Sequence, residues 1–313
     1  MDKRKRSQRK GKNSGLLLLS LPTLIWYLVF CYLPMFGIVI AFKRYKPVPG
    51  KGFIYSLFQK SPCVGFDNFK FLFLNPQMLL TVRNTLAYNL TFLVIDTVLP
   101  VALAILLSYL YSKKLSMAVQ TAAMLPHFLS WVVVSYFLYT FLSTDRGLFN
   151  NILINTGNDP VRWYQNPGVW PVILIITHTW KAYGYALVMY MAYITAIDQE
   201  LYDSAIVDGA DVFQMINHIT LPMLRPIILV LLILNLGNIL NTDFGLFYQA
   251  TRNSGSILSS TQTIDVYIYK ALMENANYGY SAAASLIQNT VGCFLLIVAN
   301  YAAKKINPEE GIL

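Results

Sequence analysis

Charge is the scarcest feature of this 313-residue sequence. Only 12% of its residues are Asp, Glu, Lys or Arg, and 56% are hydrophobic, whereas an average globular protein has about 25% charged residues. This composition excludes a disordered chain, which has low hydrophobicity and high net charge. It also argues against an ordinary soluble enzyme. The composition predicts an integral membrane protein.

Cysteine is nearly as scarce, and its positions mark no recognisable site. Cys31 and Cys293 lie in apolar runs and Cys63 lies in a loop, without the spacing of metal ligands. We therefore predict neither a metal site nor a disulfide framework. The sequence also lacks a GxxxxGK[ST] phosphate loop, an HExxH pair and a Ser/His/Asp arrangement. These absences predict that the chain is not an enzyme, has no catalytic residue and holds no cofactor of its own.

Long apolar runs dominate what is present. A membrane-spanning helix needs about 20 mostly apolar residues, because each residue advances about 1.5 Å through a hydrocarbon core of about 30 Å. Six segments meet this length, so the sequence predicts an all-α polytopic membrane protein with six transmembrane helices. They cover residues 15–42, 85–111, 117–143, 168–197, 227–247 and 281–303. The first run is too long for the core of a cleaved signal peptide, which has about 7–15 residues.

Basic residues predict the orientation of these helices. Seven Lys or Arg lie within residues 1–13, and Lys304 and Lys305 follow the sixth run. The positive-inside rule therefore places both termini in the cytoplasm. Six Lys or Arg in the first external loop, within residues 43–70, disagree with the rule, but the first segment usually dominates orientation. A basic tail can bind nucleic acid, but one that directly precedes an apolar run favours contact with anionic membrane lipid instead.

The chain is accordingly divided into four parts. Residues 1–14 form the basic cytoplasmic tail, and residues 15–79 hold the first transmembrane helix and an external loop. Four Phe within residues 66–74 of that loop predict a short interfacial helix. Residues 80–303 form the core of the protein, including an internal loop at 198–226, and residues 304–313 form a second cytoplasmic tail.

The internal loop at 198–226 is too polar to span the membrane and too regularly patterned for a simple connection. Its apolar residues recur at helical spacing, Asp198 is suited to cap a helix, and Gly209 is suited to break one. We expect two short helices on the inner face of the membrane, with Pro222 and Pro226 setting the entry into the fifth span. The polar face is acidic, and an anionic leaflet repels an acidic face. The loop therefore favours docking to a protein over contact with lipid.

The loop also carries a recognisable motif. The sequence Asp-Ser-Ala at 203–205, Gly209 after three further residues, and Ile-x-Leu-Pro at 219–222 resemble EAA-x3-G-x9-I-x-LP of ABC importer permeases. Asp replaces Glu and Ser replaces Ala, which keeps a carboxylate and a small residue. The resemblance implies that this loop couples the permease to its ATPase. The implied coupling residues are Asp203, Ser204, Ala205, Asp208, Gly209, Ala210, Ile219, Leu221 and Pro222.

The extended form of this loop, ELYDSAIVDGAD followed by ITLPMLRP, resembles the carbohydrate (MalF-type) branch. Within that branch, segments 32–47 and 125–139 and the ending Ala-Lys-Lys at 303–305 resemble the LplB-like oligosaccharide and polysaccharide permeases. The resemblance implies the type I ABC importer permease fold and import of an oligosaccharide or glycan across a bacterial plasma membrane. It further implies a second, homologous permease subunit in a heterodimer, two cytoplasmic ATPase subunits that bind ATP and Mg, and an extracellular, lipid-anchored solute-binding protein.

Polar residues inside the predicted spans suggest a substrate pathway. Ionisable groups are costly at the bilayer centre and tend to mark pathways, and a few polar groups among aromatic rings are typical of a ligand pocket. For Asp96 and His127 we favour structural roles, whereas His178 and Lys181 have no evident acid–base partner in the sequence. The predicted pathway residues are Trp131, Tyr136, Trp180, Lys181, Tyr185, Asn235, Asn238, Asn241 and Asp243.

Three functions therefore stay open from the sequence. The first is the permease of a carbohydrate importer driven by partner ATPases, and the second is an ABC permease for another solute, such as a peptide or polyol. The third is a secondary transporter or channel. Secondary transporters often have two homologous halves with broken helices in matching positions, and the sequence contains no such halves.

Overall fold

A computed structural model describes residues 17–306, and within this range the chain is helical with no strand. We label the principal helices α1 to α12. Their bounds are α1 Leu17–Phe42, α2 Asp67–Leu74, α3 Pro76–Ser108, α4 Lys113–Phe128, α5 Trp131–Leu142, α6 Leu148–Asn155, α7 Trp170–Thr195, α8 Gln199–Val207, α9 Val212–Gly237, α10 Gly245–Ala250, α11 Ile264–Met273 and α12 Tyr278–Ile306. Short helical turns at Phe53–Tyr55, Ser56–Lys60, Trp163–Gln165, Gly255–Ile257 and Leu258–Thr261 lie between them.

The long apolar helices agree in number with the predicted spans. Five described helices are long and apolar enough to cross a membrane, or six if α4 and α5 form one broken span. The predicted third span, 117–143, is divided into two helices, since α4 and α5 meet at an angle of 96°. Pro126 lies at the bend, and Ser130 begins a new helix by accepting a hydrogen bond from the Val133 backbone N–H.

The predicted fifth span was wrong at both ends. The sequence placed it at 227–247, but α9 begins at Val212 and ends at Gly237. The prolines at 222 and 226 lie inside this helix and do not begin it. A wider turn at Ile216–Thr220, closed by the bond from the Leu221 N–H to the Ile216 carbonyl, precedes Pro222. Such a turn accommodates a residue that lacks an N–H. The second short helix expected in the 198–226 loop is therefore the beginning of α9.

Two compact units divide the described residues. The first contains the described residues through Leu72 together with Ala271–Leu286. Within it, the Asn68 side chain donates to the carbonyls of Ala41, at 2.8 Å, and Lys43, at 2.9 Å. The ring of Phe71 stacks on Tyr280 with centroids 4.3 Å apart. Helix α2 covers most of 66–74, where an interfacial helix was predicted, and its position at the membrane interface stays a prediction. The 1–14 tail lies outside the described residues, as does the C-terminal tail beyond residue 306.

The second unit contains Phe73–Lys270 and the chain from Ile287. Its core consists of two apolar clusters. One surrounds Trp170 and Phe247 and the other surrounds Leu187 and Leu224; all four side chains are almost fully buried. Close approach of α7 to α4 requires Gly184, because a Cβ there would lie 1.9 Å from the Ala123 carbonyl oxygen. These contacts hold the broken α4–α5 pair against α7.

Candidate functional site

The first candidate site is the turn between α8 and α9, residues 208–211. Gly209 has φ +81°, in the left-handed region that favours glycine. Its N–H donates to the Ile206 carbonyl at 3.0 Å, and the Ala210 N–H donates to the Ala205 carbonyl at 2.9 Å. This pair of bonds is a Schellman motif, which satisfies the last carbonyls of a helix. The spacing of Ala205 and Gly209 is therefore that of a helix end, and the prediction that Gly209 breaks the helix is confirmed.

Both helices at this turn have firm N-terminal caps. Asp198 caps α8 by accepting the Glu200 N–H, as the sequence predicted. Asp211 begins α9 with a capping box, in which its carboxylate accepts the Gln214 N–H at 2.7 Å and the Gln214 side chain accepts the Asp211 N–H at 2.8 Å. The turn is thus fixed by the Schellman motif at the end of α8 and by the capping box at the start of α9.

The outermost side chains of this turn are apolar, which the sequence analysis missed. Val207 is 86% exposed and Phe213 is 77% exposed. The signal was a pair of apolar residues flanking the glycine turn, where a solvated turn would be polar. Asp211 and Gln214, counted in the acidic face, are instead engaged in the cap. Of the predicted coupling residues, Asp203, Ser204, Asp208, Gly209 and Pro222 are exposed, and Ala205, Ala210, Ile219 and Leu221 are half-buried.

Helix α8 is attached to the membrane helices through hydroxyl groups. The Tyr202 hydroxyl lies 3.0 Å from Thr220 Oγ1 at the base of α9. Tyr109, just beyond α3, also reaches Thr220, and burial raises the pKa of its phenol. A cavity of about 650 Å³ lies between α8, the ends of α3 and α7, and α4, with Tyr202 and Lys113 in its wall. These contacts connect α8 to α9 and to the end of α3.

The second candidate site lies where α9 ends. Residues 238–243, which we call the break segment, are not helical. Their backbone groups are satisfied from distant helices. Asn89 on α3 donates to the carbonyls of Ile239, at 2.7 Å, and Asn241, at 2.9 Å, and Gln288 on α12 donates to the Leu240 carbonyl at 2.8 Å. Non-helical backbone is tolerated at membrane depth only where such partners or a cavity are present.

Asp265 on α11 completes the support of the break segment. Its carboxylate accepts the Thr242 N–H and, at 2.8 Å, the Thr242 hydroxyl. Gln288 also donates to Asp265, at 3.0 Å, and to the Asn241 side chain, at 2.6 Å. The sequence analysis missed Asn89, Asp265 and Gln288, because they lie far apart in the chain and no local pattern connects them.

The break segment faces a small polar cavity of about 150 Å³. His178 Nε2 lies 2.9 Å from Asp96 Oδ2 in its wall, and the Phe92 ring stacks on His178 with centroids 3.7 Å apart. The structural role predicted for Asp96 fits this pair, whereas the expectation that His178 lacks an acidic partner was wrong. The cavity is lined by Asn89, Phe92, Leu93, Asp96, His178, Asn235, Asn238, Ile239, Asn241 and Asp243. All four polar residues predicted on the fifth span are therefore brought together.

Trp131 joins this cavity to α5. Its indole Nε1–H donates to Asp243 Oδ2 at 2.6 Å, and the other carboxylate oxygen accepts the Gly245 N–H at 2.9 Å. A Cβ at position 245 would lie 2.1 Å from the Trp131 ring, so only glycine permits this approach. Lys181 on α7 lies over the same ring, 5.2 Å from its centroid, and donates to the His127 carbonyl at 2.8 Å.

Three predicted pathway residues lie apart from this cluster. Trp180 lines an apolar cavity of about 420 Å³ formed with α5. Tyr185 is exposed and its ring stacks on His127, with centroids 5.1 Å apart. Tyr136 is 64% exposed on α5 and does not line the polar cavity. The structure thus joins Trp131, Lys181 and Asp243 directly.

Comparisons with known proteins identify the family. Residues 99–308 match the binding-protein-dependent transport system inner membrane component. Protein LplB of Bacillus subtilis is 35% identical over 298 residues, which cover 95% of this chain and 91% of LplB. The polygalacturonan/rhamnogalacturonan transport system permease protein YteP of the same organism is also 35% identical, over 95% of this chain and 89% of YteP.

Solved structures support the same family. A crystal structure of a bacterial ABC transporter involved in the import of the acidic polysaccharide alginate contains a chain with a TM-score of 0.85 and 35% identity. The match covers 96% of this chain and 99% of that one. The expected all-α, type I ABC importer permease fold is therefore confirmed. The chain belongs to the family of binding-protein-dependent transport system inner membrane components, and it is a multi-pass permease subunit with no catalytic role of its own.

Proposed function

We propose that this chain is one permease subunit of an ATP-driven importer that moves an oligosaccharide or glycan across the plasma membrane of a bacterium. The similarity to sugar permeases along nearly the whole chain supports this function. Besides LplB and YteP, the chain is similar to the lactose transport system permease protein LacF of Rhizobium radiobacter, with 28% identity over 77% of this chain. The observation in the structure that carries the proposal is the rigid, glycine-closed turn at 208–211 with its exposed Val207 and Phe213.

The turn is suited to receive force from a partner. Its two capped helices fix the position of Val207 and Phe213, and exposed apolar side chains of this size are typical of contacts with another protein. In the proposed complex, two cytoplasmic ATPase subunits bind ATP and Mg and hold the turn of each permease. Both termini of this chain and the 198–226 loop then lie in the cytoplasm. Closure of the ATPases on ATP moves α8, and the Tyr202–Thr220 contact passes the movement to α9.

The polar cavity at the end of α9 is suited to line the substrate pathway. Asn235, Asn238 and Asp243 are exposed in this chain, and amide and carboxylate groups hydrogen-bond sugar hydroxyls. A second, homologous permease subunit is proposed to close the other side of the pathway. An extracellular, lipid-anchored solute-binding protein delivers the sugar. A related crystal structure contains an alginate pentasaccharide-bound periplasmic protein with the importer, which supports delivery of this kind.

Copurification and crosslinking test the proposed complex together. The tagged chain is purified from its native membranes in mild detergent, and the copurifying proteins are identified by mass spectrometry. We expect a second permease, an ATPase and a solute-binding protein.

Crosslinking then tests the turn itself. In a background without Cys31, Cys63 and Cys293, a reagent with a maleimide at one end and a photoreactive group at the other is attached to Val207→Cys, with Tyr111→Cys as an exposed control. We expect light to crosslink the ATPase to Val207→Cys and not to Tyr111→Cys. Repeated purification of a homo-oligomer without any ATPase contradicts the proposal.

A further inference from the structure

Two cations lie on aromatic rings of the same helix, α5. Lys181 Nζ is 5.2 Å from the centroid of Trp131, and the guanidinium carbon of Arg252 is 4.1 Å from the centroid of Tyr139. The two rings are eight residues apart on α5, which corresponds to about 12 Å along a helix. This separation is longer than a single sugar ring, so the two aromatic rings cannot both contact the same sugar ring.

Neither cation has an acidic partner in the part of the chain that the structure describes. The contacts between basic and acidic side chains found there are Lys70–Asp67 and His178–Asp96, and neither involves Lys181 or Arg252. Lys181 donates to the neutral His127 carbonyl. Next to Arg252 lies Tyr164, and burial raises the pKa of this phenol to about 12. The Tyr164 hydroxyl therefore stays neutral at physiological pH and does not balance the charge of Arg252.

The carboxylates around the same region are already engaged. Asp243 is bound by the indole of Trp131 and by backbone N–H groups at the start of α10. Asp265 is bound by Thr242 and Gln288, and Asp96 is paired with His178. Each of these carboxylates thus has a hydrogen bond within the chain, although Asp96 Oδ1 has none. The contacts seen for the two cations are instead ring faces and, for Lys181, a neutral carbonyl. A cation without an acidic partner attracts an anionic ligand.

We propose that Lys181 and Arg252 determine specificity for an anionic oligosaccharide by binding the carboxylates of two uronic acid residues. This inference rests on the proposed function and narrows its substrate class. The exposed Arg252 meets the sugar chain first, and the half-buried Lys181 binds a second carboxylate beside Trp131. A cation on an aromatic ring gains about 0.5–2 kcal/mol from the ring, so the rings hold both cations in position without neutralising them.

Uptake of two matched sugars tests the proposal. The complete importer, with its binding protein, is reconstituted in proteoliposomes containing ATP. The probes are α-1,4-linked trigalacturonate and its fully methyl-esterified form, which has the same backbone without charge. We expect the wild type to import the charged trimer faster. Lys181→Met and Arg252→Met each lower its uptake about tenfold, in line with one charge-assisted hydrogen bond, and change uptake of the ester less than twofold.

Two further variants separate binding from structure. Lys181→Arg keeps the charge and retains most of the uptake, whereas Arg162→Met removes an exposed loop cation without a ring contact and leaves uptake unchanged. Equal losses for both sugars mean that Lys181 and Arg252 act only on the structure, and this overturns the proposal. The proposal is also overturned if the wild-type importer takes up only the methyl-esterified trimer, or neither trimer. Binding of the solute-binding protein to a glycan array then distinguishes failure of this specificity proposal from failure of the proposed function. Binding of neutral glycans supports import of a sugar without a role for the two cations. Binding of no glycan contradicts sugar import itself.

Discussion

His178 Nε2 lies 2.9 Å from Asp96 Oδ2, and these two residues join α7 to α3 across the wall of the polar cavity. The residues are 82 positions apart in the chain. Each is an ionisable group inside an apolar helix, where a lone charge costs about 2.5–3.5 kcal/mol on insertion scales. Their pairing makes both tolerable. The Phe92 ring, stacked on the imidazole, fixes its orientation.

A mutant cycle tests this pair. His178→Phe keeps a ring against Phe92 but leaves the Asp96 carboxylate without its partner, so we expect a lower melting temperature of the purified complex. Asp96→Leu on its own also destabilises. The double variant recovers part of the loss, because no polar group is then left unpaired, and we expect a coupling energy of about 1–2 kcal/mol. Thermal unfolding in detergent measures all four proteins. Strictly additive losses would show that the two side chains do not interact.

Gly209 provides a graded test of the α8–α9 turn. At φ +81° an L-residue is strained by about 1–2 kcal/mol, whereas Asn tolerates this region better than other side chains. Space is not the constraint, since a Cβ at this position meets no atom within 4 Å. We therefore expect uptake to fall in the order Gly, Asn, Ala, Val. Gly209→Pro abolishes it, because proline cannot reach positive φ and lacks the N–H that Ile206 accepts.

The measurement compares sugar uptake with the amount of each variant in the membrane. All of these variants should insert normally, since the turn lies outside the apolar helices. Wild-type uptake by Gly209→Pro would contradict the coupling role of this turn.

The exposed tip of the turn gives an independent prediction. Phe213→Ser removes an apolar side chain that is 77% exposed and makes no contribution to the core. In the absence of ATPase, the melting temperature of this variant should therefore equal that of the wild type. We expect weaker copurification of the ATPase and about a tenfold loss of uptake, as for a central interface aromatic. Asn217→Ser, at another exposed position of α9, is the matched control. Equal copurification of the ATPase with both variants would show that Phe213 does not contact the ATPase.

The sequence predicted the features that depend on adjacent residues. It did not predict the helix ends that depend on contacts between residues far apart in the chain. Each predicted apolar run overlaps a long apolar helix or, for the third, the α4–α5 pair. Gly209 predicted a helix end. Both predictions depend on adjacent residues. The end of α9 at Gly237 was not predictable in this way. It depends on Asn89 and Gln288, which supply hydrogen bonds to the break segment from α3 and α12. The start of α9 was missed because a wider turn before Pro222 lets the helix continue through a residue typical of boundaries.

Asn238 and Gln288 separate a pathway role from a structural role at the break segment. The Asn238 side chain is exposed and donates to the Leu234 carbonyl in the last turn of the preceding helix, α9, at 3.1 Å. Asn238→Ala should therefore leave the melting temperature unchanged and reduce sugar uptake. Gln288 is 3% exposed and donates to Leu240, Asn241 and Asp265. Gln288→Leu leaves buried acceptors unsatisfied, each at a cost of about 1–3 kcal/mol, and should lower both the melting temperature and uptake.

Trp180→Ala belongs to the same experiment, because Trp180 was predicted in the pathway but lines an apolar cavity away from the break segment. The three variants are assayed together for thermal unfolding and for uptake per assembled complex, with ATPase copurification as the measure of assembly. Loss of uptake by Asn238→Ala alone among the stable variants assigns the pathway to the polar cavity. A comparable loss by a stable Trp180→Ala places sugar contacts along α7 as well. Unchanged uptake by both would mean that these side chains serve packing, and that the pathway lies elsewhere or is lined mainly by the second permease.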